Sequence, residues 1–273
     1  GAALLFNVFV YVELGTTKAL EYLTAYLIEK SLSVDNLFVF LVVFSYFGIP
    51  PMYQPRVLRW GILGAIVMRA ILIVIGVELV HMFNWMLYVF GIILIITAVR
   101  LMQGGAESVD PGQNRFLKLV SRYIPVTTQL HEEKFFTRIQ GVLYATPLFA
   151  TLIVIESTDL MFALDSIPAV LGISHDLFIV YTSNIFAILG LRALYFALAG
   201  VMQLFHYLKY ALAIILGFIG IKMLIHDFYK IPIEFALGVV FVLLTLAIVA
   251  SILFPEKKEE AESVAVPGKP AEE

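Results

Sequence analysis

Apolar residues fill the chain in long runs, and the polar positions gather in short clusters between them. Runs near residues 1–14, 19–47, 57–80, 84–102, 141–173, 176–200, 207–225 and 232–254 predict eight membrane spans, the first of them incomplete. An α-helix rises ~1.5 Å per residue and a hydrocarbon core is ~30 Å thick, so a run of about 20 apolar residues can cross it. A β-barrel is excluded, because its strands would alternate apolar and polar residues over about 10 positions. Residues 104–140 read as one long polar loop, and 255–273 (PEKKEEAESVAVPGKPAEE) as a charged tail too polar to pack and therefore disordered. The expected fold class is all-α: a polytopic membrane protein with a single transmembrane domain over 1–254.

Composition agrees with lipid as the solvent: 61% of the 273 residues are hydrophobic, 14% are charged, and the mean hydropathy is +0.94. The net charge of −3 belongs mostly to loops and tail, so it points to no nucleic-acid partner. The absence of cysteine excludes disulfides and thiolate metal ligands from this sequence. The chain opens on Gly1 inside an apolar run with no basic segment, which reads as a truncated or processed start and not as a signal peptide. Twelve Lys and Arg fall on the side holding the loops near 48–59, 100–140 and 201–209 and the tail, against Lys18, Lys222 and Lys230 on the other. That bias predicts a cytoplasmic C-terminus in a plasma-membrane protein.

An internal repeat emerges at an offset of 122–124 residues. SVDNLF at 33–38 matches STDLMF at 157–162, placing Ser33 on Ser157 and Asp35 on Asp159. One span later MRAILIVIG aligns with LRALYFALA, bringing Arg69 onto Arg192, and YVFGIILIITAVRLM then aligns with YALAIILGFIGIKML. Because the unit holds three spans, its second copy must cross in the opposite sense, giving a 3+3 inverted repeat with extra helices.

The chemistry lies in charged residues placed where lipid should exclude them: Glu29, Lys30, Asp35, Arg69, Glu156, Asp159, Asp165 and Arg192. Each costs on the order of 2.5 to 3.5 kcal/mol at a helix centre, so each needs a partner. Five acids face three bases, of which Lys30 is free to point elsewhere, and the excess of two negative charges describes a site for a divalent cation or for protons. Glu29, Ser33 and Asn36 share one helix face, and Ser166 lies on the face of Asp159. Asp165 lies off that face, but Pro168 removes the hydrogen bond to the Leu164 carbonyl and is expected to break the helix there. The donors are hard oxygens, which suit Mn2+, Ca2+ or Mg2+. His81, His131, His175, His206 and His226 all fall at span ends or in loops and read as surface residues.

EKSLSVDNLFVF at 29–40 and ESTDLMFALDSIPAV at 156–170 resemble the two signature segments of the TerC/Alx family of integral membrane proteins. The resemblance extends through RVLRWGILGAIVMRA and TPLFATLIVIESTDL over nearly the whole chain. It implies an association with tellurium resistance and with manganese export. Carried over residue by residue, it marks Glu29, Asp35, Asn36, Glu156, Asp159, Asp165 and Ser166 as metal-site positions, with Ser33, Ser157, Arg69 and Arg192 in support. Tellurite is an anion that a net-negative pocket repels, so metal handling fits the residues better. The expected function is therefore export of a divalent cation, Mn2+ foremost, with the bilayer, the ion and protons as expected partners and no nucleic acid. A scaffold with structural ion pairs is the alternative, and an intramembrane protease using Asp35 and Asp159 a remoter one. No Walker motif occurs, so energy is expected to come from ion gradients and no enzyme activity or prosthetic group is expected.

Overall fold

A computed structural model describes residues 1–103, 111–127, 129–130, 133–198 and 207–253, without the side chains of residues 34, 35, 38, 192, 197 and 198. The expected disordered tail lies outside the described residues, as do residues 201–206 of the loop expected near 201–209.

Among the described residues the chain is mostly helical, with α1 (Ala2–Tyr46), α2 (Gln54–Met82), α3 (Met86–Met102), α4 (Arg115–Tyr123), α5 (Pro147–Leu171), α6 (Leu177–Leu189), α7 (Leu191–Leu198), α8 (Leu208–Leu224) and α9 (Ile233–Leu253). Five stretches are long and apolar enough to cross a membrane: Ala2–Ser33, Gln54–Met82, Pro147–Leu171, Leu177–Phe196 and Ile233–Leu253. The runs expected at 84–102 and 207–225 became α3 and α8, of 17 residues each. At ~1.5 Å per residue such helices reach about 25 Å, short of a full hydrocarbon core. Ala2–Tyr46 holds both the first run and its successor, but Gly15 (φ 86, ψ 177), in a backbone conformation that favours glycine, divides it in two, and the Phe6 and Tyr22 rings lie 5.4 Å apart because the chain doubles back there, so the two runs stay separate as expected.

Among its described residues the polar segment expected as a plain loop holds a helix and the first strand of a hairpin. Asn114 caps α4, its side chain accepting from Leu117 N at 2.9 Å. Farther on, β1 (Phe136–Ile139) pairs antiparallel with β2 (Val142–Ala145). Gln140 and Gly141 turn the hairpin with φ of 50 and 82, the paired positive values that match the twist of a two-residue loop. The helix expected from residue 141 therefore begins at Pro147, whose missing N–H costs nothing in a first turn.

The main helix contacts join α1 to α6, α2 to α5 and α3 to α8. Lys18 with Asp176 and Glu29 with Asn184 show that α1 and α6 run parallel. Gly61 near Ile155, Arg69 on Asp159 and Gly76 near Leu171 show the same of α2 and α5. Gly91 meets Gly220 while Ala98 meets Gly217, so α3 and α8 are antiparallel. Much of the outer surface is apolar: Leu63, Val67 and Ile71 on α2 and Phe241, Val242 and Leu246 on α9 are exposed, the distribution expected of a lipid-facing surface. Exposed Trp60 lies toward one end of α2 and Trp85 just past the other, where amphipathic rings favour the two interfaces.

Candidate functional site

Two apolar cores stack along the bundle, and the buried charges lie between them. On α2, Ala65 belongs to one core and Ile73 to the other, with Arg69 midway; on α5, Ile155 and Ala163 flank Asp159 in the same manner. Val180 and Ile188 flank Asn184 on α6, and Ile28 and Leu37 bracket Glu29 on α1. Spacings of four residues return a helix to nearly the same face, so these helices contribute one polar layer between two apolar ones. Asp159 is the middle residue of α5, which puts the layer near the centre of the span.

Arg69 is 1% exposed and is the hub of this layer. Its Nε donates to Asp159 Oδ2 at 3.1 Å and its Nη2 to Asp159 Oδ1 at 2.8 Å, a two-pronged contact. Its Nη1 donates to a Glu29 carboxylate oxygen, to Asn184 Oδ1 at 3.0 Å and to Ser166 Oγ at 3.3 Å. Asn184 Nδ2 closes the ring by donating to Glu29 Oε2 at 3.2 Å. Two carboxylates around one guanidinium leave a formal charge of −1. Burial of such a group is tolerable only because every polar atom of Arg69 has a partner.

The other sequence-derived positions divide. Ser166 joins the Arg69 cluster, as its place on the Asp159 face foretold. Asp165 does not: Thr97 of α3 donates to its Oδ1 at 2.8 Å. The expected break at Pro168 is absent, and α5 runs on to Leu171. Pro168 lies in the last turn, where one lost hydrogen bond leaves the preceding turns intact, so Asp165 and Asp159 remain on different faces. Ser157 accepts from Asn114 Nδ2 at 2.7 Å and thereby ties α4 to α5. Glu156 packs its carboxylate onto Gly64 of α2, where any side chain would collide with it, beneath an apolar groove lined by Trp60, Val67 and Leu152. Ser33 and Asn36 are buried, and Ser33 Oγ and Asn36 Oδ1 have no hydrogen-bond partner. Asp35 and Arg192 belong to α1 and α7, but their side chains lie outside the described residues. Among the described residues no three His, Cys, Asp or Glu side chains already surround a single point.

Residues 14–259 match the integral membrane protein TerC family. The chain belongs to the TerC family. A relative from Salmonella typhi that carries the name membrane-bound redox modulator Alx is 52% identical over 237 residues, 87% of this chain and 74% of the relative. One of the same name from Escherichia coli strain K12 is 51% identical over 232 residues, 85% and 72% of the two chains. An uncharacterized membrane protein from Rickettsia bellii is 47% identical over 249 residues, 91% and 82%. No solved structure matches this chain.

In this TerC-family chain the residue that sequence reasoning passed over is Asn184, buried and bonded to both Arg69 and Glu29. Its signal was an amide inside the apolar run LFIVYTSNIFAIL, unremarked because it carries no charge. Lys30, the one of the three bases read as free to point elsewhere, does so, donating to the Ala187 carbonyl at 3.2 Å at the end of α6, where Gly190 leaves room for its ammonium. A cation at a helix C-terminus is favoured by the exposed carbonyls there. Of the five histidines read as surface residues, His131 and His206 lie outside the described residues and His81 is exposed, while His81, His175 and His226 border one cavity.

Proposed function

We propose that this TerC-family protein exports a divalent metal cation across the cytoplasmic membrane, Mn2+ foremost, in exchange for protons. The observation that carries the reading is the buried layer in which Glu29 and Asp159 outnumber Arg69. A structural ion pair needs one acid per base, whereas an acid excess at mid-span attracts a cation. Ser33 Oγ and Asn36 Oδ1 add unpartnered buried oxygens on the Glu29 face of α1, and all these donors are of the hard type that Mn2+ accepts. Arg69 then serves as a resident counter-ion that the arriving cation displaces from the shared carboxylates. Asp35 and Arg192 are proposed to form the matching half about a two-fold axis in the membrane plane. The exchange of the α1/α6 and α2/α5 pairings, both parallel, with α3 and α8 antiparallel, is what a 3+3 inverted repeat requires, and it supports that plan.

The relatives' name invokes redox, and one residue-level fact bears on it: this sequence holds no cysteine, so a redox effect would not run through its own thiols. Altered metal supply to redox enzymes is the route consistent with the buried layer. The test is Mn2+ uptake into proteoliposomes, with Ca2+, Mg2+ and Zn2+ as competitors, for wild type and Asp159→Asn. Transport that requires Asp159 supports the reading, whereas no metal movement by wild type leaves a scaffold held by ion pairs.

A further inference from the structure

At the end of the bundle opposite α4 and the hairpin, the close of α2, the start of α3, the α5–α6 connection and the α8–α9 connection surround a cavity of about 390 Å³. Three of its walls carry imidazoles: His81 from α2, His175 from the α5–α6 connection and His226 from the α8–α9 connection. The His175 and His226 ring centroids are 6.4 Å apart. Two imidazoles sharing one tetrahedral ion at Zn–N distances of ~2.1 Å have centroids about 5.3 Å apart, so side-chain rotation that closes this pair by about 1 Å would let it hold one.

A second set of contacts orients one ring. Tyr88 Oη donates to Asp227 Oδ2 at 2.6 Å, and Asp227 Oδ1 lies 3.3 Å from His226 Nδ1. A carboxylate on Nδ1 holds the proton there and leaves the Nε2 lone pair free, the arrangement that supports metal-bound histidines. Burial first, then the neighbouring His226 and His81, lowers the His175 pKa and favours the neutral, ligating imidazole. Two charged groups near His175 oppose each other, Glu21 attracting a cation and Lys222 repelling one. The Lys222 ammonium is engaged by the Gly172 carbonyl at 3.0 Å.

We propose that His81, His175 and His226 form a second metal site, separate from the mid-span carboxylates, that takes an imidazole-preferring divalent transition ion of the Zn2+ type. The donor set is nitrogen, unlike the hard-oxygen layer at mid-span, so the two sites should sort ions differently. His81 completes the set by rotating its side chain toward the pair, since the three are not gathered around one point without the ion. Asp227 and Tyr88 are positioning residues.

Zn2+ titration of tag-free, detergent-solubilised full-length protein by calorimetry, in the Asp159→Asn background, isolates this site from the mid-span layer. One Zn2+ per chain is expected, with affinity falling at least tenfold in His81→Gln/His226→Gln and less in Tyr88→Phe. Zn2+ affinity in the double variant within tenfold of its parent, or no Zn2+ binding by the parent, overturns the proposal. His226→Gln alone, with a threefold threshold, decides the matter if the double variant is not monodisperse. Because Mn2+ transport is read separately in proteoliposomes, failure here leaves the mid-span reading untouched, and failure there leaves this one.

Discussion

Arg69 bonds to Glu29, Asp159, Ser166 and Asn184, and no other described side chain organises so many helices. Removing it strands two carboxylates in a dry layer. Arg69→Leu is expected to cost about 3–5 kcal/mol of stability, read as a drop in the thermal midpoint in detergent. Adding Asp159→Asn to that variant should restore part of the loss, because one uncompensated charge disappears. Asp159→Asn alone should behave differently: it keeps the shape and one acceptor oxygen, balances Glu29 against Arg69, and leaves the protein inserted and folded. On the proposed function it abolishes Mn2+ transport, and transport at the wild-type rate would assign Asp159 a structural role only.

Close helix approach, not side-chain interlock, joins α3 to α8. A side-chain carbon at Gly220 would stand 2.8 Å from the Gly91 carbonyl oxygen, and one at Gly91 would stand 2.9 Å from that of Gly220. Backbone cannot step aside, so Gly220→Val should push the helices apart and lower stability by about 1–3 kcal/mol in a thermal melt. Gly217→Ala is the control, since its new carbon would meet Ala98 at an ordinary 3.7 Å and should leave the midpoint unchanged. Small residues at such crossings are the usual means of helix association where lipid offers no hydrophobic drive.

Across the molecule, pH acts at two depths. At the histidine end, His175 has a depressed pKa, caused first by burial and then by His226 and His81. For a base held neutral by the fold, stability is full above the unfolded value of about 6.5 and declines as pH falls below it, because the unfolded chain takes up the proton more readily. Metal-free protein should therefore show a falling thermal midpoint from pH 7.5 to 5.5, with a smaller fall in His175→Gln. At mid-span, exchange of Mn2+ for protons requires that protons leave the site as the ion binds, because a coordinating carboxylate has to be ionised. Calorimetry in buffers of different ionisation enthalpy counts them, and a count of zero at pH 7 removes proton exchange while leaving uniport.

The helical membrane class, the family and the presence of charge at Glu29, Arg69 and Asp159 inside apolar helices were legible in the sequence, because apolar runs and charges inside them are local signals. The hairpin was hidden because the expected border between polar loop and apolar run falls between its two strands, and its turn depends on positive φ at Gln140 and Gly141. Partner choice was beyond local reading. Arg69 bonds to Asp159, 90 residues away, and to Asn184, 115 away, while Asp165 goes to Thr97 and Lys30 to the end of α6. The sequence by itself determined which residues could not be left to lipid, since transfer cost is a property of each side chain. Only the tertiary structure decided which of them share one layer and that three distant histidines border one cavity, since those facts depend on which helix faces pack together.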